Sequence, residues 1–243
     1  MEVPEKVLLT GASSGIGRAM AKRLLEEGYE VYGVGREFSH DLGIIKKDPR
    51  FHAISLDLLS PHAEEIIQSE VLADGHDIDI LINNAGAAYY GLHENIRPDQ
   101  IREMIRLNLE IPMILTRLVL PSMKKRKKGD IIQIASVTSL SMENTYGAAY
   151  GASKAGLLSF SRSLFAECRK CGIRVSSILP DMTDTNLYRN ADFSADTEFG
   201  CSLDPEDIAD GLLYLLKLPR GRVVQEMMIR PQYHRIQKKK IRK

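Results

Sequence analysis

The chain has 243 residues, 44% of them hydrophobic and 27% charged, with 33 lysines and arginines against 32 acidic side chains. This length suits one α/β domain and leaves little room for two, and a formal net charge of +1 offers no global field for nucleic acid or an anionic membrane. Three cysteines are too few for a disulfide framework and suit a reducing, cytoplasmic setting, and neither a signal peptide nor an apolar run of about 18 residues is expected.

Residues 7–10 are an apolar run that ends in the turn Thr10-Gly11-Ala12-Ser13-Ser14-Gly15-Ile16-Gly17. Behind it, residues 16–27 place Ile16, Met20, Ala21, Leu24 and Leu25 on or near one helical face, and Gly28 stands where the helix should stop. Further strands are expected at 31–34, 51–56, 78–82, 131–135, 174–179 and 223–229. Helices are expected at 98–120, 150–169 and 205–218. Strands separated by helices of this length indicate parallel βαβ units. Near-continuous apolar strands, such as that holding Ile78, Ile80, Leu81 and Ile82, suit a sheet covered on both faces. The expected fold is therefore a single-domain, doubly wound α/β Rossmann sheet of about seven parallel strands, with ligands at the strands' carboxyl ends. Only residues 232–243 are left over, as a loose basic tail.

In the first turn, Gly11, Gly15 and Gly17 permit a tight bend and close approach of phosphate oxygens to the backbone. The N–H groups around Ser13, Ser14 and Ile16, at the start of the helix, then face a pyrophosphate. The spacing is G-x-x-x-G-x-G and not the usual G-x-G-x-x-G, and a purely structural turn is the competing reading. After the second strand comes Gly35-Arg36, where an acidic residue would bind the ribose hydroxyl of NAD. A guanidinium there pairs with a 2′-phosphate, so NADP(H) is expected over NAD(H). NAD(H) stays open, because Glu37 follows as a displaced acidic partner. Asp57-Leu58, after the third strand, is placed at the adenine. Asn84, Ala85 and Gly86, after the fourth, either contact the cofactor or, with Asn83, hold the sheet edge.

Tyr150-Gly151-Ala152-Ser153-Lys154 opens a helix, and positions four apart share a face. A tyrosine titrates near about 10, so acting at neutral pH needs a fall of roughly 3 units, about 4 kcal/mol. A neighbouring ammonium has the right sign for that. Ser136 ends the fifth strand, where its hydroxyl points toward a ligand. Asn108 precedes Pro112, which has no N–H, so the carbonyl of residue 108 is free to hold a water beside Lys154.

Together, the Thr10-to-Gly17 turn, Asn83 to Gly86, Asn108, Ser136 and the Tyr150/Lys154 pair resemble, in order and spacing, the short-chain dehydrogenase/reductase family, from residue 6 to about 229. The resemblance implies that Tyr150 is the general acid/base, that Ser136 orients the substrate oxygen, that Lys154 binds the nicotinamide ribose and lowers the tyrosine pKa, and that Asn108 anchors a proton relay. It also implies a homodimer or homotetramer built through the two long helices. Pro180, Thr183 and Thr185 fall on the cofactor side of its pattern. Asp181 replaces the family's glycine, an exchange expected to alter the local backbone and bring a carboxylate near the substrate. The short lid, about residues 186–203, implies a small or open-sided substrate.

Several other features are read as structural. Cys168 and Cys171 form a C-x-x-C at a helix end, with no second ligand pair for zinc. Asp74, His76, Asp77 and Asp79 read as a solvated loop, so no metal is expected. The run Lys124-Lys125-Arg126-Lys127-Lys128 matches the negative end of a helix dipole. Tyr146 has a tyrosine and not a lysine four residues on, and is rejected as the catalytic phenol. The expected activity is NADP(H)-dependent interconversion of a small-molecule carbonyl and a secondary alcohol, with no nucleic acid or membrane partner. A non-catalytic nucleotide sensor on the same fold is the alternative, disfavoured by the complete catalytic set. An isomerase or dehydratase would want a larger C-terminal region.

Overall fold

Val7 and Leu9 pack into one hydrophobic layer and Leu8 into the opposite one, as alternation along a strand apolar on both faces requires. The computed structural model describes residues 4–38, 43, 45–72, 77–141 and 144–239. Strand β1 (Lys6–Thr10) is followed by α1 (Gly15–Glu26), β2 (Glu30–Gly35), β3 (Phe51–Ser55), α2 (Ala63–Glu70) and β4 (Ile80–Asn83). Next come α3 (Pro98–Ile105), a π-turn (Arg106–Glu110), α4 (Ile111–Arg126), β5 (Gly129–Ile134), α5 (Ala148–Cys168) and β6 (Ile173–Pro180). The chain then forms β7 (Phe193–Ala195), α6 (Pro205–Lys217), β8 (Glu226–Ile229) and β9 (Ile236–Lys238).

Seven strands form one parallel sheet in the order β3-β2-β1-β4-β5-β6-β8, a single-domain doubly wound fold as expected. The chain runs outward from β1 to β3, then crosses back to β4 on the other side of β1. The carboxyl ends of β1 and β4 therefore flank the crevice where such sheets take ligands. On one face α1 lays Met20 and Leu24 against Ile208, Leu212 and Leu215 of α6. On the other, Leu115, Val119 and Met123 of α4 and Leu164 of α5 cover Leu81 and Ile131. Helix α6 starts where its sequence dictates: Pro205 sits in the first turn, and the Asp204 N–H donates to the Asp207 carboxylate at 2.9 Å.

Three departures from the sequence reading bear on the site. The helix expected over 98–120 runs on to Arg126 and is broken by the π-turn, where the Ile111 N–H reaches back five residues to the Arg106 carbonyl. Helix α2, too short to announce itself by periodicity, was not foreseen. The stretch from residue 232, expected as a loose tail, folds back: β9 pairs antiparallel with β7, Ala195 opposite Ile236 and Phe193 opposite Lys238. Its charged side chains remain exposed while its backbone completes the edge of the lid strand, a pairing that composition does not reveal. Residues 240–243 lie outside the described residues.

Candidate active site

Every residue assigned to cofactor binding from the sequence lines one cleft at the carboxyl edge of the sheet, and so do Ser136, Tyr150 and Lys154. Asn108 lies just behind it, fully buried.

The cleft floor is the first turn. Gly11 (φ 70°) and Gly15 (φ 50°) occupy the left-handed region that favours glycine. A Cβ on Gly17 would lie 2.0 Å from the Gly11 carbonyl oxygen, so α1 can start this close to the turn only without a side chain there. Ser14 is the N-cap of α1 but makes no side-chain capping bond, and the first turn holds no acidic residue. The positive end of the helix is thus left for an anion, and this cradle fits a pyrophosphate. Arg36 is exposed at the end of β2, on the same cleft. Asp57 accepts from the Leu59 N–H at 3.0 Å, which shapes the turn after β3.

Asn83 and Asn84 part company. The Asn84 Nδ2 donates to the Thr10 carbonyl at 2.9 Å, and its own N–H donates to Thr10 Oγ1, also at 2.9 Å. Its side chain therefore clamps the first turn to β4. Asn83 is buried away from the cleft, and both of its side-chain polar atoms lack a partner among the described residues.

At the far end, Ser136 caps the short turn Val137–Ser139, accepting from the Thr138 N–H at 3.2 Å, and lines the same cleft as Tyr150. Tyr150 and Lys154 lie on the buried face of α5, 4% and 5% exposed. The Lys154 Nζ donates to the Ile134 carbonyl at 2.8 Å. Burial pushes the Tyr150 phenol up to about 12, opposed by the neighbouring Ser136 hydroxyl. Burial also pulls the Lys154 ammonium down to about 8. The lowering of the phenol expected from Lys154 is thus not seen in the protein alone, where desolvation sets the direction. The Asn108 amide bridges elements: Oδ1 accepts from the Ala87 N–H and Nδ2 donates to the Ala87 carbonyl, both at 2.9 Å, and Nδ2 also donates to Ser153 Oγ at 3.0 Å. With its side chain committed, any part of Asn108 in a relay falls to its backbone.

A phenol, a serine hydroxyl and an ammonium thus converge beside an anion cradle, which suits proton exchange with an oxygen held next to a dinucleotide. The family model for short chain dehydrogenase matches residues 5–194. The chain belongs to the short-chain dehydrogenases. It is 33% identical over 238 residues to an uncharacterised oxidoreductase of Staphylococcus epidermidis, covering 95% of this chain and 99% of the relative. It is 35% identical over 188 residues to the 3-oxoacyl-[acyl-carrier-protein] reductase of Salmonella typhimurium, covering 75% of each. Among solved structures, an alcohol dehydrogenase from the archaeon Thermococcus sibiricus, complexed with 5-hydroxy-NADP, superposes with a TM-score of 0.84 at 26% identity, over 96% of this chain and 99% of that one. A short-chain dehydrogenase from Sphingobium yanoikuyae in complex with NADPH gives a TM-score of 0.80 at 29% identity, over 96% and 89%.

In this dehydrogenase the segment after β6 closes the cleft. Thr183 donates its hydroxyl to the Asp181 carbonyl at 2.9 Å, and Thr185 caps the turn Asn186–Asn190. A Cβ on Gly15 would meet the Thr185 methyl at 3.2 Å, which places that threonine over the glycine turn. Asp181 does not distort the backbone as expected: it is absent from the positive-φ residues, and its carboxylate turns to the Met182 N–H (2.8 Å), His234 (3.0 Å) and Arg230 (3.5 Å).

The substrate side of the dehydrogenase holds residues that the sequence reading missed. Tyr90 packs on Tyr150 with ring centroids 5.7 Å apart, and on Phe193 at 5.1 Å. Tyr188 contacts both Tyr90 (6.1 Å) and Phe193 (5.5 Å). Burial, then the nearness of Tyr150, raises the phenols of Tyr90 and Tyr188 well above the usual tyrosine range. Scattered aromatics in a loop give no periodic signal; the one available hint was their density before α3 and within the lid.

Of the features set aside, Cys168, Cys171 and Cys201 are free thiols. Arg126 and Lys128 of the basic run pair with Asp77 (3.3 Å) and Glu5 (2.6 Å). Asp79 accepts from the Lys6 N–H at 3.0 Å, while Asp74 and His76 lie outside the described residues. Tyr146 is 56% exposed and does not line the cleft.

Proposed function

We propose that this dehydrogenase interconverts a carbonyl and a secondary alcohol with NADP(H), with Tyr150 as general acid/base. The observation that carries the reading is that Ser136, Tyr150 and Lys154 line one end of a cleft whose other end is the glycine cradle. When bound, the cofactor supplies or accepts the hydride. The chain's own residues supply position and protons. Ser136 and Tyr150 hold the substrate oxygen, and Tyr150 gives it a proton in the reducing direction and removes one in the oxidising direction. At neutral pH a phenol pushed to about 12 is protonated, ready to donate. In the reverse direction, Lys154 and the positive charge of the oxidised ring favour the phenolate.

Lys154 also holds the nicotinamide ribose in this reading, and Asn108 fixes α5 against the β4 loop. Arg36, exposed where the adenosine ribose would lie, favours a 2′-phosphate; the NADP-bound state of the two structural neighbours supports this choice. Asp57, Leu58, Asn84, Ala85, Gly86, Pro180, Thr183 and Thr185 line the remainder of the dinucleotide site. A homodimer or homotetramer through the exposed faces of α4 and α5 completes the proposal, and light scattering of the purified protein measures it. The deciding experiment is NADPH oxidation across ketones, keto acids and keto esters. Turnover of at least one class is expected, and tight NADPH binding with no turnover on any would leave a nucleotide sensor instead.

A further inference from the structure

Tyr188 and Phe193, which close the aromatic wall beside Tyr150, sit on a segment with almost no regular structure of its own: one short turn and three residues of strand. What holds it is the C-terminal stretch. The Lys239 ammonium donates to three carbonyls of that segment: Tyr188 (2.6 Å), Ala191 (3.0 Å) and Arg189 (3.4 Å). Its N–H donates to the Asp192 carbonyl at 2.7 Å, one residue before β7 meets β9. Upstream, the Tyr233 and Arg235 N–H groups donate to Gly200 (2.9 Å) and Cys201 (3.0 Å). Arg235 pairs with Glu198 at 2.6 Å, and Gln237 donates to Asp196 at 2.9 Å. The root of the stretch is tied to the cleft itself, through Arg230 and His234 on Asp181. His234 takes up a left-handed conformation (φ 45°) where the chain turns toward β9.

The same contacts decide the chemistry of the wall. The carboxylate of Asp181 is paired to the strap, and that of Glu103 accepts the Tyr89 hydroxyl at 2.7 Å. What faces Tyr150 is Tyr90, with Ala88, Met104 and Leu187 packed in the same cluster. Flat aromatic and apolar surface of this kind, with Asp181 and Arg189 elsewhere on the cleft lining, suits an aryl or similar planar substituent next to the reacting carbonyl.

We propose that residues 230–239 are a strap that positions this wall, with Lys239 and β9 setting Tyr188 and Phe193 against Tyr90, the ring that packs on Tyr150, so that the site selects carbonyls with a flat apolar substituent. The kinetic part rests on the carbonyl reductase reading above. Lys239 is a positioning residue: it touches neither the cleft floor nor Tyr150, and acts through the lid carbonyls.

The test compares wild type with Lys239→Met, Lys239→Arg and Phe193→Ala, using an aryl methyl ketone and a small aliphatic ketone, with NADPH affinity read by fluorescence and lid amide exchange over 186–195 by mass spectrometry. Wild type is expected to prefer the aryl ketone. In Lys239→Met the KM for the aryl ketone should rise about tenfold, the scale of one lost charge-assisted hydrogen bond. Its kcat for the small ketone and its NADPH affinity should hold, and lid exchange should quicken. Lys239→Arg should recover most of the effect, and Phe193→Ala should lose the aryl preference with the strap intact. An unchanged aryl-to-aliphatic ratio in both Lys239→Met and Phe193→Ala overturns the proposal, as does unchanged lid exchange in Lys239→Met. Should wild type reduce no carbonyl, the reaction reading falls, and the exchange measurement still decides whether the strap holds the lid.

Discussion

The ammonium of Lys154 donates to the carbonyl of Ile134, two residues before Ser136, so one bond pins α5 to the end of β5 and fixes the spacing between phenol and serine. That bond is made in a desolvated place. The Lys154 pKa is brought down to about 8 by burial, from an ordinary lysine value of about 10.4. Below pH 8 the folded protein carries a buried cation that the unfolded chain would hold in water, which costs stability. Between about pH 8 and 10.4 the unfolded chain binds the extra proton, so this cost fades as pH rises. Lys154→Met escapes the cost at every pH. The stability of the variant relative to wild type is therefore expected to be greatest near pH 7 and to fall by up to about 3 kcal/mol by pH 10. Urea melts of both proteins at several pH values check it; a difference that does not change with pH refutes it.

Tyr150→Phe removes one oxygen and keeps the ring that packs on Tyr90. NADPH affinity should survive and turnover should fall by about 10²–10⁴-fold, the range for a lost general acid. Lys154→Ala should lose both, because it removes the proposed ribose donor along with the charge. Single-turnover kinetics beside fluorescence titration separate the two outcomes. Retained turnover in the phenylalanine variant would end the assignment of Tyr150.

Much of this was legible in the sequence, for identifiable reasons. The parallel sheet followed from apolar runs separated by helical stretches, while the order of strands that opens its crevice is visible only in the fold. The glycine turn was legible because its positions have steric demands that only glycine meets, as at Gly17. Tyr150, Lys154 and Ser136 could be placed on one cleft because spacing on a helix and position at a strand end constrain where side chains point. What stayed hidden depends on contacts between distant segments. The partner of Asn108 is Ala87, reached across a π-turn that no periodicity announces. Asp181 lines the cleft, but nothing local in the sequence ties its carboxylate to His234, fifty-three residues later. The tail looked loose because its side chains are charged, while its structure comes from backbone pairing with β7.

Arg36 is the testable centre of the cofactor choice. It is exposed on the cleft wall, so its removal should cost little stability. Arg36→Ala is expected to weaken NADPH binding by about tenfold or more, the worth of one charge-assisted contact to a phosphate, and to leave NADH binding nearly unchanged. Arg36→Asp should invert the preference. Parallel titrations with the two cofactors decide it, and equal losses for both would place the guanidinium away from the 2′-phosphate.

At the opposite, amino-terminal edge of the sheet, Arg174 on β6 forms a buried ion pair with Asp130 on β5, their side chains 9% and 4% exposed. The remaining Arg174 nitrogens donate to the Leu218 (2.7 Å) and Leu216 (3.2 Å) carbonyls at the end of α6, joining sheet and helix. Arg174→Met leaves the Asp130 carboxylate buried with only Arg220, 3.1 Å away and 44% exposed, to answer it. Stranding one partner of a buried pair costs about 3–5 kcal/mol, and Arg220 should hold the loss toward the lower end. The double variant Arg174→Met with Asp130→Asn should lose less than the sum of the single changes, since no charge is then left unanswered. Because the pair lies at the far end of the strands from the cleft, KM and kcat below the melting range should match wild type. Urea denaturation of the three variants checks the energetics. Additive losses would show that the two side chains act independently, and would remove the ion pair as the reason these ends of the sheet hold to α6.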